Sequence, residues 1–307
     1  MPQIPRIVCL IGPTASGKTA LSVALCELLG NVEIVSADSL AVYKYLDVGT
    51  AKPPMEVRAR IPHHLVDFLE PSKQWSAYDF RCEALYLFKE ISSRGNIPMV
   101  VGGTAFYLHV LFQGIPFSGA PRNRRFRLIL ERMGNEKLFA LLRDIDPWRA
   151  EKIGKNDRKR LIRALEIFFL THHLPSEKRN AFQKGENPQY LLLGISWDKE
   201  ELKKRIRERV EEMFYRGIVE EVQNLFALGY RMPLPALENF TYRPVVAFLE
   251  GRISLEKAKE EVIRGTLLFV KRQMNWFRKM PVLWFRSEGK DLSYVAESMY
   301  HCIQEEG

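Results

Sequence analysis

An α/β fold, a parallel sheet core flanked by helices and interrupted by a mainly helical insertion domain, is predicted by three features of this 307-residue sequence. First, the apolar run Ile7-Val8-Cys9-Leu10-Ile11 leads into Gly12-Pro13-Thr14-Ala15-Ser16-Gly17-Lys18-Thr19, then into a helically spaced segment that stops at Gly30. Strand, glycine turn and helix in that order are the setting of the phosphate loop, G-x-x-x-x-G-K-[ST], so the core is read as P-loop NTPase-like. Second, strand-length apolar segments recur at Val32–Val35, Pro98–Val101 and Tyr190–Ile195 with helical stretches between them, the pattern of parallel strands joined by crossovers. Third, from about 119 to 187 the sequence turns helical and arginine-rich. The predicted division is a catalytic core over 1–118 and 188–307, with a helical insertion over 119–187.

In the phosphate loop, Gly12 and Gly17 let backbone N–H groups close around phosphate oxygens where a side chain would block the approach. The helix beginning near Lys18 adds its positive end. Lys18 brings a charge to the terminal phosphate, and Thr19 a hydroxyl suited to Mg²⁺. The second strand ends in Ser36-Ala37-Asp38-Ser39. Ligands of open α/β sheets sit at the carboxyl ends of the strands, so Asp38 is either a cap for the turn that follows or a carboxylate aimed at substrate. The loop Asp47–Pro53 is polar, and the adjacent His63 and His64 suit hydrogen bonding better than shared metal ligation. Ser76 with Asp79 marks the start of a helix running to about Ser93. The third strand ends in Gly102-Gly103-Thr104. Nucleotide hydrolases of this type place an aspartate there to hold Mg²⁺, and its absence speaks against a simple ATPase.

Arg122, Arg124, Arg125 and Arg127, and then Arg158-Lys159-Arg160 with Arg163, crowd the insertion. One charge run is ordinarily a solvated helix face; two in one helical segment suit a phosphate-backbone surface. Lys199 to Phe214 reads as an amphipathic helix with Leu202, Ile206, Val210 and Met213 inward and Arg205 and Arg209 among solvated ion pairs on the other face. The run Lys271 to Lys279 interleaves basic residues with Trp276 and Phe277. That mixture either contacts phosphates and unpaired bases or packs its rings in a core. The chain carries 46 Lys and Arg against 37 Asp and Glu, a net charge of +9, which favours a polyanionic partner without fixing which. Its four scattered cysteines show no metal spacing or disulfide framework and fit a reducing cytoplasm. Neither a signal peptide nor a run of membrane-spanning length is evident.

Taken together, GPTASGKT (12–19), SADS (36–39), DVGTAKP (47–53), HHLVD (63–67), GGT (102–104), a DP…ND…R…RALE segment (146–166) and KRQ-x-x-WFR (271–278) resemble the tRNA dimethylallyltransferases, also called tRNA isopentenyltransferases, in order and over nearly the whole chain. The resemblance implies transfer of a dimethylallyl group from dimethylallyl diphosphate to the exocyclic amine of the adenosine 3′-adjacent to the anticodon. It implies Asp38 as general base, Thr104 as its companion at the reacting centre, and Gly12 to Thr19 with Arg209 around the diphosphate, aided by Mg²⁺. A tRNA anticodon stem-loop would be held by Asp38, Ser39, Leu40, Ala41 and Thr104, and by Lys159, Arg160, Leu161, Ile162 and Arg163. Tyr242, Arg243, Lys271, Arg272, Gln273, Trp276 and Arg278 complete that set, with Arg125 or Arg124 at the insertion boundary. A monomer is expected. The sequence departs from the family pattern at Ala41, at Ala105-Phe106 after GGT, at Phe240-Thr241-Tyr242-Arg243-Pro244 in place of IGYRE, and at Thr266-Leu267-Leu268 in place of TRQ. Two other readings of the same loop are an ATP-dependent small-molecule or nucleotide kinase and a non-catalytic RNA-binding relative.

Overall fold

A computed structural model of the protein describes residues 7–113, 123–176, 189–287 and 289–306. The chain divides into two units, Met1–Gln113 with Pro188–Gly307, and Gly114–Asn187. The first begins β1 (Ile7–Ile11), α1 (Lys18–Leu29), β2 (Val32–Ala37), α2 (Met55–Arg60), β3 (His63–His64), α3 (Ala77–Ser93), β4 (Ile97–Gly102) and α4 (Ala105–Gln113). The second holds α5 (Arg124–Glu131), α6 (Asn135–Ile145), α7 (Pro147–Ile153) and α8 (Arg158–Thr171). The chain returns to the first unit with β5 (Tyr190–Ser196), α9 (Lys199–Tyr215), α10 (Ile218–Ala227), α11 (Tyr242–Leu249), α12 (Leu255–Phe277), β6 (Leu283–Arg286) and α13 (Leu292–Glu306).

The strands form one six-stranded sheet in the order β3-β2-β4-β1-β5-β6, and every neighbouring pair is parallel. A parallel sheet is covered on both faces, so its central strands are buried throughout rather than on alternate residues; all of β1 and β2 is buried, Glu33 and Ser36 included. Val8, Leu10, Ile34, Met99, Leu191 and Leu193 from the sheet pack with Leu21 and Leu25 of α1 and Val295 and Met299 of α13. Register pairs Ile11 with Gly102 and Gly194, and Ala37 with Gly102. The carboxyl ends of four strands are thereby level, and the loops that follow them meet along one edge. β6 carries little sequence signal, since Leu283 and Trp284 are exposed.

Local chemistry explains the helix starts. Ser76 and Asp79 form a reciprocal capping box on α3, and Asp198 accepts from Glu200 N and Glu201 N to open α9. The departures at 240–244 are accommodated. Thr241, where the family pattern has glycine, has φ −81° and ψ −48°, a conformation open to any residue. Pro244 falls in the first turn of α11, where its missing N–H leaves no helical bond unmade.

The second unit has its own core of Leu130, Leu138, Leu142, Leu161, Ile162 and Leu165. Asp146 caps α7 through Arg149 N at 3.0 Å, with Pro147 in the first turn, and Asp157 caps α8 through Arg160 N at 3.2 Å. Glu166 is fully buried. It accepts from Asn123 N at 2.7 Å, Arg127 Nε at 3.1 Å and Arg163 Nη1 at 2.7 Å. The DP…ND…R…RALE segment is in this way the fastening of the four-helix unit to itself.

Candidate active site

The site grows from the turn between β1 and α1. Ala15 and Gly17 both adopt positive φ, 65° and 88°, the left-handed backbone that turns the chain sharply between β1 and α1. A Cβ on Gly12 would sit 2.6 Å from Ile195 Cγ2, so only glycine fits there. The outer carbonyls of the turn are held from behind. Trp197 Nε1 donates to Ser16 O at 2.9 Å and Arg205 Nε donates to Ala15 O at 3.0 Å, while the Arg205 guanidinium lies 4.1 Å over the Trp197 ring. Ser16 Oγ, by contrast, is buried without a hydrogen-bond partner, a cost that a bound anion would remove.

Two cations and one carboxylate face this turn. Lys18 Nζ donates to Pro13 O at 2.7 Å. Burial, and then the neighbouring Arg209 guanidinium, draw its pKa down to about 7 against the opposing pull of Asp38. Burial likewise lowers Arg209, with Asp38 and then Glu212 opposing. Among the described residues Arg209 makes no ion pair or hydrogen bond. Asp38 is a cap for the turn that follows it. Its Oδ1 accepts from Leu40 N at 2.8 Å and Ala41 N at 3.2 Å, while Oδ2 has no hydrogen-bond partner among the described residues. Thr104 stands beside it: Thr104 Oγ1 accepts from Ser39 N at 3.0 Å, and Thr104 N donates to Ala37 O at 3.1 Å. Gly102 has no room for a side chain, since a Cβ would lie 2.4 Å from Ala37 O.

The reading of Arg205 and Arg209 as solvated pairs is overturned. Arg209 lies three residues from Ile206 and four from Met213, so at 3.6 residues per turn it belongs to the inward stripe of α9. Helical spacing, applied to the arginines as well as the apolar residues, contains that signal.

Several residues expected to touch tRNA are buried instead. Gln273 is 2 % exposed: Oε1 accepts from Thr14 N at 3.0 Å and Nε2 donates to Gly103 O at 2.6 Å. Tyr242 is fully buried and its hydroxyl donates to Glu221 Oε1 at 2.7 Å. Leu161 and Ile162 belong to the core of the second unit and Ala41 is buried, because each fills an apolar position that its helix or turn must cover. Arg163 is tied to Glu166, Arg160 pairs with Asp157 at 2.9 Å, and Arg243 with Glu238 at 2.5 Å. Lys159 and Arg125 are exposed without such a partner in the second unit, as are Lys271, Arg272 and Arg278 on α12. Trp276 is half-buried, its ring 4.5 Å from His109, and Phe277 is wholly buried; the α12 aromatics are core on one side of the helix and the cations solvent-facing on the other. Arg122 lies outside the described residues.

The polar motifs between β2 and α3 are likewise self-satisfied. Lys52 is buried and donates to Tyr43 O at 2.6 Å and Asp67 Oδ1 at 2.7 Å. Glu221 accepts from Asp47 N, Val48 N and Gly49 N at 2.5, 2.6 and 3.1 Å, a clamp that sequence spacing did not announce. His64 Nε2 meets Glu33 Oε2 at 2.6 Å and His63 Nδ1 meets Ile61 O at 2.6 Å. Among the described residues no three His, Cys, Asp or Glu converge as a metal cage. Mg²⁺ that is held mainly by substrate phosphates needs only one or two protein groups, and the exposed Thr19 hydroxyl in the first turn of α1 fits that mode.

Comparison with known proteins places this geometry in context. Residues 41–280 match the family model described as IPP transferase. The tRNA dimethylallyltransferase of Geobacter sulfurreducens is 42 % identical over 91 % of this chain and 90 % of its own length. That of Alkaliphilus metalliredigens is 38 % identical over 97 % of each. Among solved structures, a tRNA isopentenylpyrophosphate transferase of Staphylococcus epidermidis superposes with a TM-score of 0.72 at 34 % identity, covering 99 % of this chain and all of that one. A eukaryotic dimethylallyltransferase acting on tRNA superposes with a TM-score of 0.83 at 27 % identity, covering 98 % of this chain and 79 % of that one.

Proposed function

The chain belongs to the IPP transferase family, and on that premise we propose that it is a tRNA dimethylallyltransferase. It moves a dimethylallyl group from dimethylallyl diphosphate to the exocyclic amine of the adenosine 3′-adjacent to the anticodon, and releases diphosphate. The observation that carries this is the set of charged and polar groups left unsatisfied around the phosphate loop among the described residues: Arg209 without a partner, Asp38 with one free oxygen, and Ser16 Oγ orphaned.

Each group has a task in that reaction. The C–O bond of the allylic diphosphate breaks as the new C–N bond forms, so negative charge gathers on the departing diphosphate. The loop amides, Lys18 and Arg209 lie where that charge develops, and fixed donors act most strongly there. The adenine amine is a weak nucleophile that must lose a proton as it bonds to carbon. Asp38 Oδ2 accepts it, while Oδ1 stays committed to the turn and fixes the direction of the carboxylate. Thr104, bonded to Ser39 N, holds the same turn from the sheet side. The target base leaves its stack to reach this depth. Thr19 would hold Mg²⁺, which supplies further charge compensation to the diphosphate when bound. The exposed Lys271, Arg272 and Arg278 of α12, and Lys159 and Arg125 of the insertion, are the cations we assign to the anticodon stem-loop. Glycine at the end of β4, where a hydrolase carries an acidic residue, supports transfer over nucleotide hydrolysis. Among the described residues no helix is long and apolar enough to cross a membrane.

The test is transfer of labelled dimethylallyl diphosphate to an anticodon stem-loop carrying adenosine 3′ of the anticodon, with Mg²⁺ and without ATP. Label on that loop and none on a guanosine control is expected. Label on neither, with the stem-loop bound, overturns the assignment.

A further inference from the structure

We infer that Gln273 is a positioning residue for the diphosphate subsite and makes no contact with RNA. This rests on the function proposed above. Its amide bridges the phosphate loop and the turn that follows β4. Oε1 accepts from the backbone N–H of Thr14 at 3.0 Å, and Thr14 Oγ1 approaches the same oxygen at 3.4 Å. Nε2 donates to Gly103 O at 2.6 Å, the residue just before Thr104. Both ends of the amide are thereby used, and the side chain is buried from the RNA-facing side of α12.

The consequence is geometric. The Thr14 N–H is one of the amides of the phosphate loop, and Gln273 holds it toward α12. That fixes which N–H groups remain for phosphate, because a bonded amide cannot serve a ligand without giving up its partner. The same side chain pins the Gly103 peptide. A Cβ on Gly103 would meet Gln273 Nε2 at 2.5 Å, Gly12 O at 3.2 Å and Lys18 Nζ at 3.6 Å, so the amide, the phosphate loop and the lysine close on one small volume. The neutral amide offers an acceptor and a donor on one planar group, as this bridge between two backbone segments requires. Sequence alone groups Gln273 with Lys271 and Arg272, yet helical spacing turns it to the opposite side: Val270, Gln273 and Phe277 are buried while Lys271 and Arg272 are exposed.

The experiment compares the wild type with Gln273→Met, which keeps the length and loses both bonds, and with Gln273→Glu in case the first variant does not fold. Inorganic pyrophosphate binding, the KM for dimethylallyl diphosphate and the KM for the stem-loop are measured on each. The expected result is that pyrophosphate affinity and the KM for dimethylallyl diphosphate both worsen about tenfold, the scale of one or two lost hydrogen bonds, with the stem-loop KM unchanged. Amide exchange at Thr14 should accelerate in the variant while β1 amides stay protected. A raised stem-loop KM with wild-type pyrophosphate affinity would overturn the inference, and so would wild-type values throughout. If the wild type itself transfers no prenyl group, the functional reading fails, and the pyrophosphate and exchange measurements still judge Gln273.

Discussion

Glu166 of the insertion and Asp38 of the core are both carboxylates set among cationic side chains, and the chain treats them in opposite ways. Glu166 is enclosed and uses both oxygens on Asn123, Arg127 and Arg163. Asp38 uses one oxygen on its own turn and leaves the other open beside Lys18 and Arg209. Burying charge is tolerable when partners surround it and costly when they are missing. A region whose charges are all answered within the chain is a fastening, whereas one that leaves them unanswered is built for something that arrives. The same contrast separates Lys52, bonded to Tyr43 O and Asp67, from the open Arg209.

The contrast can be broken at its open end first. Asp38→Asn keeps an acceptor for the Leu40 and Ala41 amides and removes the base, so single-turnover transfer should slow by about 10²–10⁴-fold with stem-loop affinity unchanged. Near-normal turnover would remove Asp38 from the chemistry. At the closed end, Glu166→Ala strands two arginines and a backbone N–H. Urea unfolding should report a loss of roughly 3–5 kcal/mol, and an unchanged midpoint would contradict the fastening.

Acid sharpens the comparison further. Burial alone would raise the Glu33 pKa, but hydrogen bonds from Arg94, Asn96 and His64 more than offset it and hold it at about 2 against an ordinary 4.5. A depressed carboxylate contributes stability above its unfolded pKa and loses it as pH falls toward the folded value, here roughly 3 kcal/mol between about pH 4.5 and 2. The stability gap between wild type and Glu33→Gln should therefore narrow as pH drops from about 5 to 2, the span of that titration; a constant gap would deny the linkage. The smallest effect separates free from fastened cations on the surface. Lys271→Ala should lower the salt dependence of stem-loop binding by roughly 0.7–0.9 in logarithmic slope. Arg163→Ala, whose guanidinium already serves Glu166, should leave the slope alone. Equal slopes for the two variants would erase the distinction.

The phosphate loop, Asp38 and Thr104 were legible in the sequence because each is announced by its neighbours: a strand before, a glycine turn, a helix or loop after. The parallel strands were legible for the same reason, as continuous apolar runs. What escaped was long-range. The bond from Thr14 N to Gln273 spans 259 residues, and the clamp of Glu221 on the 47–49 loop spans 172 to 174. Motif spacing carries no information about such pairs. β6 escaped because an edge strand with exposed Leu283 and Trp284 lacks the buried pattern of its neighbours. Arg209 was legible as an arginine on the apolar stripe of α9, although the charged residues around it favour a solvated face and only the family resemblance drew it toward the diphosphate.

The central claim is that the unanswered charges around the phosphate loop receive a diphosphate leaving group. Its most direct measurement counts products from purified enzyme, dimethylallyl diphosphate, stem-loop and Mg²⁺, with ATP first absent and then added. The account predicts pyrophosphate released in equal amount to the prenyl group transferred, with no dependence on ATP and no inorganic phosphate from it. Phosphate release from ATP, or transfer that requires it, would contradict the account and return the loop to a nucleotide.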